Sequence, residues 1–278
     1  MSFENGKKMS VAYLGPEGTF CEQAATKFFS KGEFIPYPNI TDVFAAVESG
    51  DTEYGVVPAE NSTDGSIAQT LDCLLESTIM ICGEVELKIT HNLIAKPNTS
   101  LSQIEVILSH PQALAQCRQF LQRVFPHVEL REVSSTAKAV ELIKNMDSAA
   151  AIGTQAAAKR SAMAILKRQI EDEMNNMTRF FVLCKNDAEP TARDKTSLVF
   201  STKHMPGSLH SVLEVFAMRA INLTKIESRP EKKSPWSYVF YLDFEGHRTD
   251  AKVSAALESM KERCIYVKVL GSYSKASK

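Results

Sequence analysis

The 278-residue sequence lacks a long hydrophobic run, and its charges nearly cancel. No stretch approaches the ~18 apolar residues of a membrane span, and the N-terminal residues lack the apolar core of a secretory signal. With 32 Lys and Arg against 33 Asp and Glu, no overall field favours nucleic acid or an anionic membrane. We therefore expect no nucleic-acid or membrane partner, and any bound anion must be held by local groups.

Paired cysteines and the common catalytic motifs are also missing. The six cysteines are scattered without a C-x-x-C pair or a nearby histidine at ligand spacing, which argues against a disulfide framework and a zinc site. Reduced cysteines fit a cytoplasmic location. No nucleophile elbow, P-loop, dinucleotide fingerprint or H-E-x-x-H occurs. We expect no metal and no cofactor, and a site that works by hydrogen bonding and positioning.

What is present up to about residue 185 is an alternation of short apolar runs and helical patterns, typical of an α/β fold with mostly parallel sheets. Apolar runs at 84–95 and 178–184 bracket a second α/β set, so the chain is expected to cross twice between two lobes. A ligand is expected in the cleft between them. Helices are predicted within this set over residues 112–125 and 156–167.

The order of elements changes after a polar, proline-containing segment at 186–195, which is predicted to be a linker. Beyond it the pattern is β-α-β-β-α-β, the ferredoxin-like order. The predicted organisation is a two-lobed domain at 9–185 (lobe one about 9–84 plus 178–185, lobe two about 85–177), the linker at 186–195, and a ferredoxin-like domain at 196–272.

Four strand ends in the first region place Gly, Ser, Thr or Asn where a helix is about to begin, at 15–19, 58–63, 109–112 and 134–136. Such places expose free backbone N–H groups that bind anions, although the same residues are ordinary helix caps. A further polar pair, Thr178 and Arg179, precedes the buried run Phe180–Cys184. Their convergence on one cleft favours a carboxylate-bearing small molecule over simple capping.

Several motifs carry a resemblance to a known family. GPEGTF at 15–20, PAENSTDGS at 58–66, SHPQALAQC at 109–117 and TRFFVL at 178–183 resemble the prephenate dehydratase family. INLTKIESRP at 221–230 and SYVFYLDFEGH at 238–247 resemble its regulatory ACT domain. The likeness extends from about Val11 to Val269.

The resemblance implies both a fold and a reaction. The fold is a two-lobed, periplasmic-binding-protein-like α/β catalytic domain with a cleft, followed by a ferredoxin-like βαββαβ (ACT) domain. The reaction is that of a carbon–oxygen lyase, which converts prephenate into phenylpyruvate in L-phenylalanine biosynthesis under feedback by L-phenylalanine. Water and carbon dioxide leave as the ring becomes aromatic, so a mild hydrogen-bond donor suffices.

The family's motifs also imply site residues. Thr178, Arg179 and Phe180 form the catalytic motif, with Thr178 as donor to the departing hydroxyl. Arg179 either clamps a carboxylate bidentately or pairs with an acid and orders the loop, and the sequence leaves both open. The residues expected to hold the substrate's carboxylates and ketone are Asn61, Ser62, Ser109 and Gln112, with Glu60 and His110 as second choices.

The ACT resemblance implies that L-phenylalanine binds at a dimer interface, so a homodimer or homotetramer is expected through this domain. The residues expected to hold the effector's charged ends are Gly207, Ser208, Leu209, Asn222 and Leu223. The motif Glu227-Ser228-Arg229-Pro230 is expected to follow a strand as a turn and to couple the effector to the catalytic lobes. Taken alone, this motif also fits a solvated turn.

Two positions depart from the family's usual pattern: Gly153-Thr154 stands where Ala-Ser is usual, and Ser208 replaces the alanine of a Gly-Ala-Leu turn. Two alternatives stay open. Arogenate dehydratase shares the mechanism, and no residue separates it from prephenate dehydratase. A non-catalytic amino-acid sensor is disfavoured by the retained Thr178-Arg179-Phe180. A fused chorismate mutase is not expected, because only about ten residues precede the first strand.

Overall fold

The computed structural model describes residues 9–231 and 237–276, which form three β-sheets covered by helices. The first sheet and its helices form lobe one. Its strands are β1 (Ser10–Leu14), β2 (Glu33–Tyr37), β3 (Tyr54–Asn61), β4 (Gly65–Ser66), β5 (Met80–Lys88) and, from later in the chain, β11 (Met177–Cys184). Its helices are α1 (Phe20–Phe28), α2 (Ile40–Ser49) and α3 (Ala68–Glu76).

The second sheet and its helices form lobe two. Its strands are β6 (Asn92–Ala95), β7 (Val106–Ser109), β8 (Glu129–Glu132), β9 (Ala149–Gly153) and β10 (Ala164–Lys167). Its helices are α4 (Pro111–Gln116), α5 (Arg118–Val124), α6 (Thr136–Leu142) and α7 (Gln155–Arg160), and short 3₁₀ turns occupy 101–103 and 143–145. The chain enters lobe two after β5 and returns to lobe one at β11.

Both sheets are mixed, so the prediction of mostly parallel sheets is wrong in part. In lobe one the order is β2-β1-β3-β11-β5, and β1 is parallel to β2 and β3. The returning strand β11 is antiparallel to both β3 and β5. In lobe two the order is β10-β6-β9-β7-β8, with β7 parallel to its neighbours and β6 antiparallel to β9 and β10. Apart from the short strand β4, which is antiparallel to β3, the antiparallel pairs involve the strands next to the two crossings.

Two helices predicted in lobe two differ from the structure. The helix expected over 112–125 is divided at Cys117 into α4 and α5. The helix expected over 156–167 ends at Arg160, and Ala162 then adopts a positive φ of 53°. Residues Ala164–Lys167 form β10 instead, because Ile165 and Leu166 pack into the two cores on opposite sides of the sheet. So short a segment is not enough to separate a helical period from a strand.

The C-terminal domain contains the third sheet. Its strands are β12 (Asp194–Ser201), β13 (Leu223–Pro230), β14 (Tyr238–Glu245) and β15 (Tyr266–Ser274), and its helices are α8 (Ser208–Ala217) and α9 (Ala251–Lys261). The sheet is antiparallel with the order β13-β14-β12-β15. The prediction of a two-lobed, periplasmic-binding-protein-like α/β region followed by a βαββαβ domain is confirmed.

The motif Glu227-Ser228-Arg229-Pro230 is part of β13, so the prediction that it forms a turn after the strand is wrong. Pairing with β14 continues as far as Pro230, which faces Tyr238. Proline is tolerated here because β13 is an edge strand, where the missing N–H costs no ladder hydrogen bond.

The C-terminal sheet is packed on both faces. One face packs against α8 and α9, with a core between them that includes Phe200, Phe216 and Phe244. The other face packs on lobe one, where Tyr241 and Tyr273 join the core around α3 and β11. This contact between the C-terminal sheet and lobe one is called the interdomain interface below. Within residues 9–231 and 237–276, no helix combines the length and the apolar character needed to cross a bilayer.

Candidate active site

The cleft between the lobes is closed by side chains that cross it. Thr154 caps α7 and donates its hydroxyl hydrogen to the carbonyl of Gly18 in lobe one at 2.6 Å. The ring of Phe20, the first residue of α1, meets the ring of His91 edge-on with centroids 5.9 Å apart. The loop that precedes α1 in lobe one and the start of α7 in lobe two are therefore in contact across the cleft.

Asn61, the last residue of β3, carries an amide that donates to three oxygens at the return of the chain into lobe one. Its Nδ2 lies 2.6 Å from Asn176 Oδ1, 2.8 Å from Thr178 Oγ1 and 3.3 Å from the carbonyl of Met177. β3 and β11 are paired here, with Asn61 opposite Thr178. The two side chains therefore share one face of the sheet and are almost completely buried.

The orientation of the Asn61 amide is set by its other end. Its Oδ1 accepts the backbone N–H groups of Thr63 at 3.0 Å and Asp64 at 3.1 Å. Nδ2 must therefore face Thr178, and an amide nitrogen can only donate. The Thr178 oxygen is the acceptor of this bond, and its own hydrogen has no acceptor among the described residues. Thr178 is thus held as a hydroxyl whose hydrogen remains available to a ligand.

Arg179 points to the opposite face of β11, and its guanidinium forms hydrogen bonds within the interdomain interface. Its Nε lies 2.6 Å from Glu84 Oε2, and Nη1 lies 2.5 Å from Asp243 Oδ2 of the C-terminal domain. Nη2 donates to the hydroxyl of Tyr273 at 2.7 Å, and the guanidinium lies over the ring of Phe181 at 4.7 Å. Consecutive residues of a strand face opposite ways, which explains why Thr178 and Arg179 are separated.

A second cation and a hydroxyl complete this buried cluster. Lys195 Nζ lies 2.9 Å from Glu84, and the Ser197 hydroxyl donates to Asp243 at 2.6 Å. Burial lowers the pKa of Arg179, but the facing Tyr273, Asp243 and Glu84 outweigh burial and hold this pKa above its usual value. Arg179 is therefore a permanent cation between two carboxylates that are themselves buried.

The remaining candidates of the catalytic motif and its neighbours are distributed over both faces of the lobe-one sheet. Phe180 is a core residue of the α1 side, packed with Tyr13 and Val56. Glu60 lies on the interdomain side, where its carboxylate is 2.9 Å from Lys225 Nζ and 3.9 Å from Arg179. The structure thus groups Glu60 with Arg179 and not with Asn61.

Ser62 and Ser109 already use their hydroxyls within the protein. Ser62 Oγ accepts the backbone N–H of Met177 at 2.9 Å, which ties β3 to the start of β11. Ser109 is fully buried and donates to the carbonyl of Ile152 at 2.8 Å. Both residues stabilise the strand ends that surround the cleft.

His110 and Gln112 lie at the start of α4, and Gln112 reaches lobe one. His110 caps the helix, because its Nδ1 accepts the backbone N–H of Gln112 at 3.3 Å. The Gln112 amide donates to the carboxylate of Asp64, and Gln116, one turn later, donates to the same oxygen at 2.8 Å. These bonds connect lobe two to the loop that follows Asn61.

Three polar residues of this site were not singled out as candidates from the sequence: Asp64, Gln116 and Asn176. Asp64 and Gln116 lie inside the motifs PAENSTDGS and SHPQALAQC, and Asn176 directly precedes Met177 and the TRF segment. Their positions within or beside the motifs were the available signal. His91 lies at the first crossing, and no motif marks it.

The candidate effector residues are divided between two places in the C-terminal domain. Gly207 precedes α8 with a positive φ of 82°, and no side chain caps this helix. Ser208 and Leu209 form the first turn of α8, whereas Asn222 and Leu223 follow the other end of the helix. A ten-residue helix is about 15 Å long, so one chain cannot bring both sets to one amino acid.

The side chains of β13 alternate between the interdomain interface and the opposite face. Glu227 binds the hydroxyl of Ser66 in lobe one, and Arg229 lies 3.3 Å from Asp72. Ser228 and Pro230 are exposed on the other face. The ESRP motif therefore contacts lobe one directly through two of its four side chains.

Comparison with known proteins agrees with this architecture. The prephenate dehydratase family model matches residues 11–188, and the ACT domain model matches residues 196–262. A bifunctional chorismate mutase/prephenate dehydratase of Aquifex aeolicus is 47% identical over 271 residues, covering 97% of this chain and 75% of the relative. A prephenate dehydratase of Methanocaldococcus jannaschii is 40% identical over 275 residues, covering 95% and 97%.

A solved structure is similar over nearly the whole chain. The prephenate dehydratase of Arthrobacter aurescens, in complex with L-Phe, superposes with a TM-score of 0.89 at 32% identity and covers 96% of this chain and 90% of its own. Family match, identity and fold agree over both domains. The chain belongs to the prephenate dehydratase family of carbon–oxygen lyases and carries a C-terminal ACT domain.

Proposed function

We propose that the chain converts prephenate into phenylpyruvate, carbon dioxide and water in L-phenylalanine biosynthesis. The bond between the ring and its carboxylate breaks, and its electron pair enters the ring as carbon dioxide leaves. The carbon–oxygen bond of the ring hydroxyl breaks with its electrons on oxygen, and a proton completes the water molecule. Donation to the departing oxygen stabilises the charge that develops there.

The observation that supports this proposal is the hydrogen-bond polarity at Thr178. The Asn61 amide donates to Thr178 Oγ1 at 2.8 Å, a bond that does not use the hydroxyl hydrogen. A bond received from an amide also makes the hydroxyl a better donor. Thr178 is therefore the proposed donor to the departing hydroxyl, and Asn61 is the residue that orients it.

The other candidates receive roles that follow from where their side chains lie. Gln112, whose amide also donates to Asp64, and His110, the N-cap of α4, are proposed to approach the substrate's carboxylates from lobe two. Ser109 is proposed to support its strand end, because it donates its hydroxyl hydrogen to Ile152. Ser62 is proposed to support the start of β11, because its oxygen accepts the N–H of Met177, a bond that does not use its hydroxyl hydrogen. Arg179 is proposed to act through the interdomain interface and not as a carboxylate clamp, because each of its three guanidinium nitrogens already donates to a protein group there.

The first experiment compares the parent protein with Thr178→Ala and Thr178→Ser in a phenylpyruvate-formation assay. We expect Thr178→Ala to lower kcat by about 10²–10³-fold with little change in KM, because the lost donor acts in the transition state. Thr178→Ser keeps a hydroxyl and should retain most of the activity. Thr26→Ala is the matched control, because that hydroxyl bonds only carbonyls of its own helix.

Near-normal turnover by Thr178→Ala would refute the assignment of the donor. If the folded parent protein turns over arogenate but not prephenate, arogenate is the substrate. Absence of both activities, with binding retained, would favour the amino-acid sensor.

We also propose that L-phenylalanine regulates the enzyme from a site completed by a second copy of the chain. The uncapped start of α8 at Gly207 offers free N–H groups to a carboxylate. Asn222 and Leu223 lie at the far end of that helix, so the two parts can meet only between chains. The ACT domain is accordingly proposed to form a homodimer or part of a homotetramer. L-phenylalanine should lower turnover in a titration of the intact protein, and an unchanged rate would refute feedback.

A further inference from the structure

A chain of hydrogen bonds links lobe two to the Asn61–Thr178 pair. Its central residue is Asp64, whose carboxylate accepts hydrogen bonds from the side-chain amides of Gln112 and Gln116 in α4. The two glutamines are four residues apart and therefore lie on the same side of the helix. Bonds from neutral donors to a carboxylate are stronger than bonds between neutral groups. Asp64 thus fastens the loop after β3 to lobe two.

The polarity of the chain continues to the first crossing. Because the Gln116 NH₂ group donates to Asp64, the Gln116 oxygen is the acceptor for His91 Nε2 at 2.9 Å. The neutral imidazole then carries its hydrogen on Nε2, and burial lowers the pKa of His91, which favours this neutral form. His91 Nδ1 is buried without a partner among the described residues. His91 is thus the terminal donor of the chain.

At its other end the chain reaches the proposed donor. The backbone N–H of Asp64 donates to Asn61 Oδ1 at 3.1 Å, and the Asn61 amide donates to Thr178. Displacement of Asp64 would release one of the two N–H groups that fix the Asn61 amide. The hydrogen-bond polarity at Thr178 therefore depends on whether lobe two holds Asp64.

We propose that Asp64 and Gln116 are positioning residues: closure of lobe two onto Asp64 locks the Asn61 amide, which turns the hydroxyl hydrogen of Thr178 toward the substrate. This inference rests on the proposed dehydratase reaction and adds to it a requirement for closure. In the open arrangement Asp64 loses both glutamine donors. The Asn61 amide then keeps only the N–H of Thr63 at its Oδ1, and the donor orientation of Thr178 is held less firmly.

The test is a double-mutant cycle between Gln116→Glu and Asp64→Asn. Gln116→Glu keeps the size of the side chain and an acceptor for His91, but it places a carboxylate against Asp64. We expect kcat to fall about tenfold or more with a smaller change in KM. In the Asp64→Asn background the polarity is reversed, because the amide introduced at position 64 can donate to the carboxylate introduced at position 116. The same Gln116→Glu substitution should therefore cost about threefold or less in that background.

Gln119→Glu is the matched control. Gln119 is exposed and lines the same groove as Gln116, so it receives the same charge without taking part in the chain. Its kcat should stay within about twofold of the parent value, as is usual for surface substitutions. A loss in Gln116→Glu no larger than that of Gln119→Glu, or a loss that Asp64→Asn does not restore, would overturn the proposal.

Hydrogen exchange provides a readout that needs no turnover. The amides of Thr63 and Asp64 are protected by Asn61 in the closed form. Without ligand, both amides should exchange faster in Gln116→Glu and return to the parent rate in the double variant. If the parent protein turns over neither prephenate nor arogenate, the proposed function fails. The hydrogen-exchange rates of the Thr63 and Asp64 amides then test the inference by themselves. Parent-like rates in the double variant after faster exchange in Gln116→Glu support it, and parent-like rates in Gln116→Glu itself overturn it.

Discussion

Replacement of Arg179 by methionine separates the two roles that the TRF motif allows for this arginine. Methionine keeps apolar contact with Phe181 but removes the bonds to Glu84 at 2.6 Å, Asp243 at 2.5 Å and Tyr273 at 2.7 Å. Glu84 keeps Lys195 as a counterion at 2.9 Å. Asp243 keeps only hydroxyl donation, although its side chain is 6% exposed.

Removal of one partner of a buried ion pair costs about 3–5 kcal/mol, because a carboxylate remains buried without its countercharge. For a protein of this size that corresponds to a decrease in Tm of roughly 6–20 °C in a thermal unfolding scan. Asp243→Asn removes the orphaned charge, so it should cost about 2 kcal/mol less in the Arg179→Met background than in the parent. Arg123→Met, which replaces an exposed arginine, is the control and should change stability by less than about 0.5 kcal/mol.

Kinetics with prephenate complete the test. An interface role predicts that Arg179→Met lowers kcat, because Thr178 is its neighbour on β11, and leaves KM within a few-fold. An unchanged Tm together with a KM raised by about 10²-fold would show that Arg179 holds a substrate carboxylate and would refute the reasoning from its contacts.

Three further outcomes are expected. Gly271→Ala should destabilise the protein by about 3 kcal/mol or more in urea unfolding. A Cβ at this position would lie 2.0 Å from the Ile81 carbonyl oxygen, and the φ of Gly271 is +152°. An unchanged urea midpoint would contradict the interdomain packing. His91→Gln should reduce the decrease in the free energy of unfolding between about pH 7 and pH 5. The pKa of His91 is lowered in the folded protein, so below about pH 6.5 the unfolded chain binds the proton more readily than the folded one. An identical pH dependence of the unfolding free energy in parent and variant would show that His91 is not the titrating group. Lys268→Met should cost about 1.5–3 kcal/mol, since its ammonium donates to three carbonyls at the C-terminal end of α3; a Tm equal to that of the parent would refute this cap.

The sequence was sufficient to predict the two-lobed α/β region, the βαββαβ domain and the segments that surround the cleft, because these depend on periodicity and on local motifs. The period of a strand also implies that Thr178 and Arg179 face opposite ways. It does not tell which face meets the cleft, since that depends on where the C-terminal domain packs. The sequence therefore allowed two roles for Arg179. The structure shows that its partner is Asp243, sixty-four residues away in the C-terminal domain.

Asp64 and Gln116 were not identified from the sequence because each has its partner in the other lobe. In the sequence Asp64 is an ordinary loop acid and Gln116 an ordinary helix residue, and only the folded structure shows them 2.8 Å apart. Their bond joins positions fifty-two residues apart, and no local pattern encodes such a contact. The misassigned helix at 156–167 has a different origin, because its last four residues fit a helix and a buried strand equally well.

The close approach at Gly271 has a mechanical consequence. There the backbones of β15 and β5 approach each other without an intervening side chain, so sliding of the C-terminal sheet across this point is opposed by steric contact. The strand β13, which carries Glu227, lies three strand spacings away, or about 14 Å. A tilt of about 5° at this fulcrum moves β13 by about 1 Å over that lever arm. The strand whose side chains reach Ser66 and Asp72 is thus the one that travels farthest when the sheet tilts.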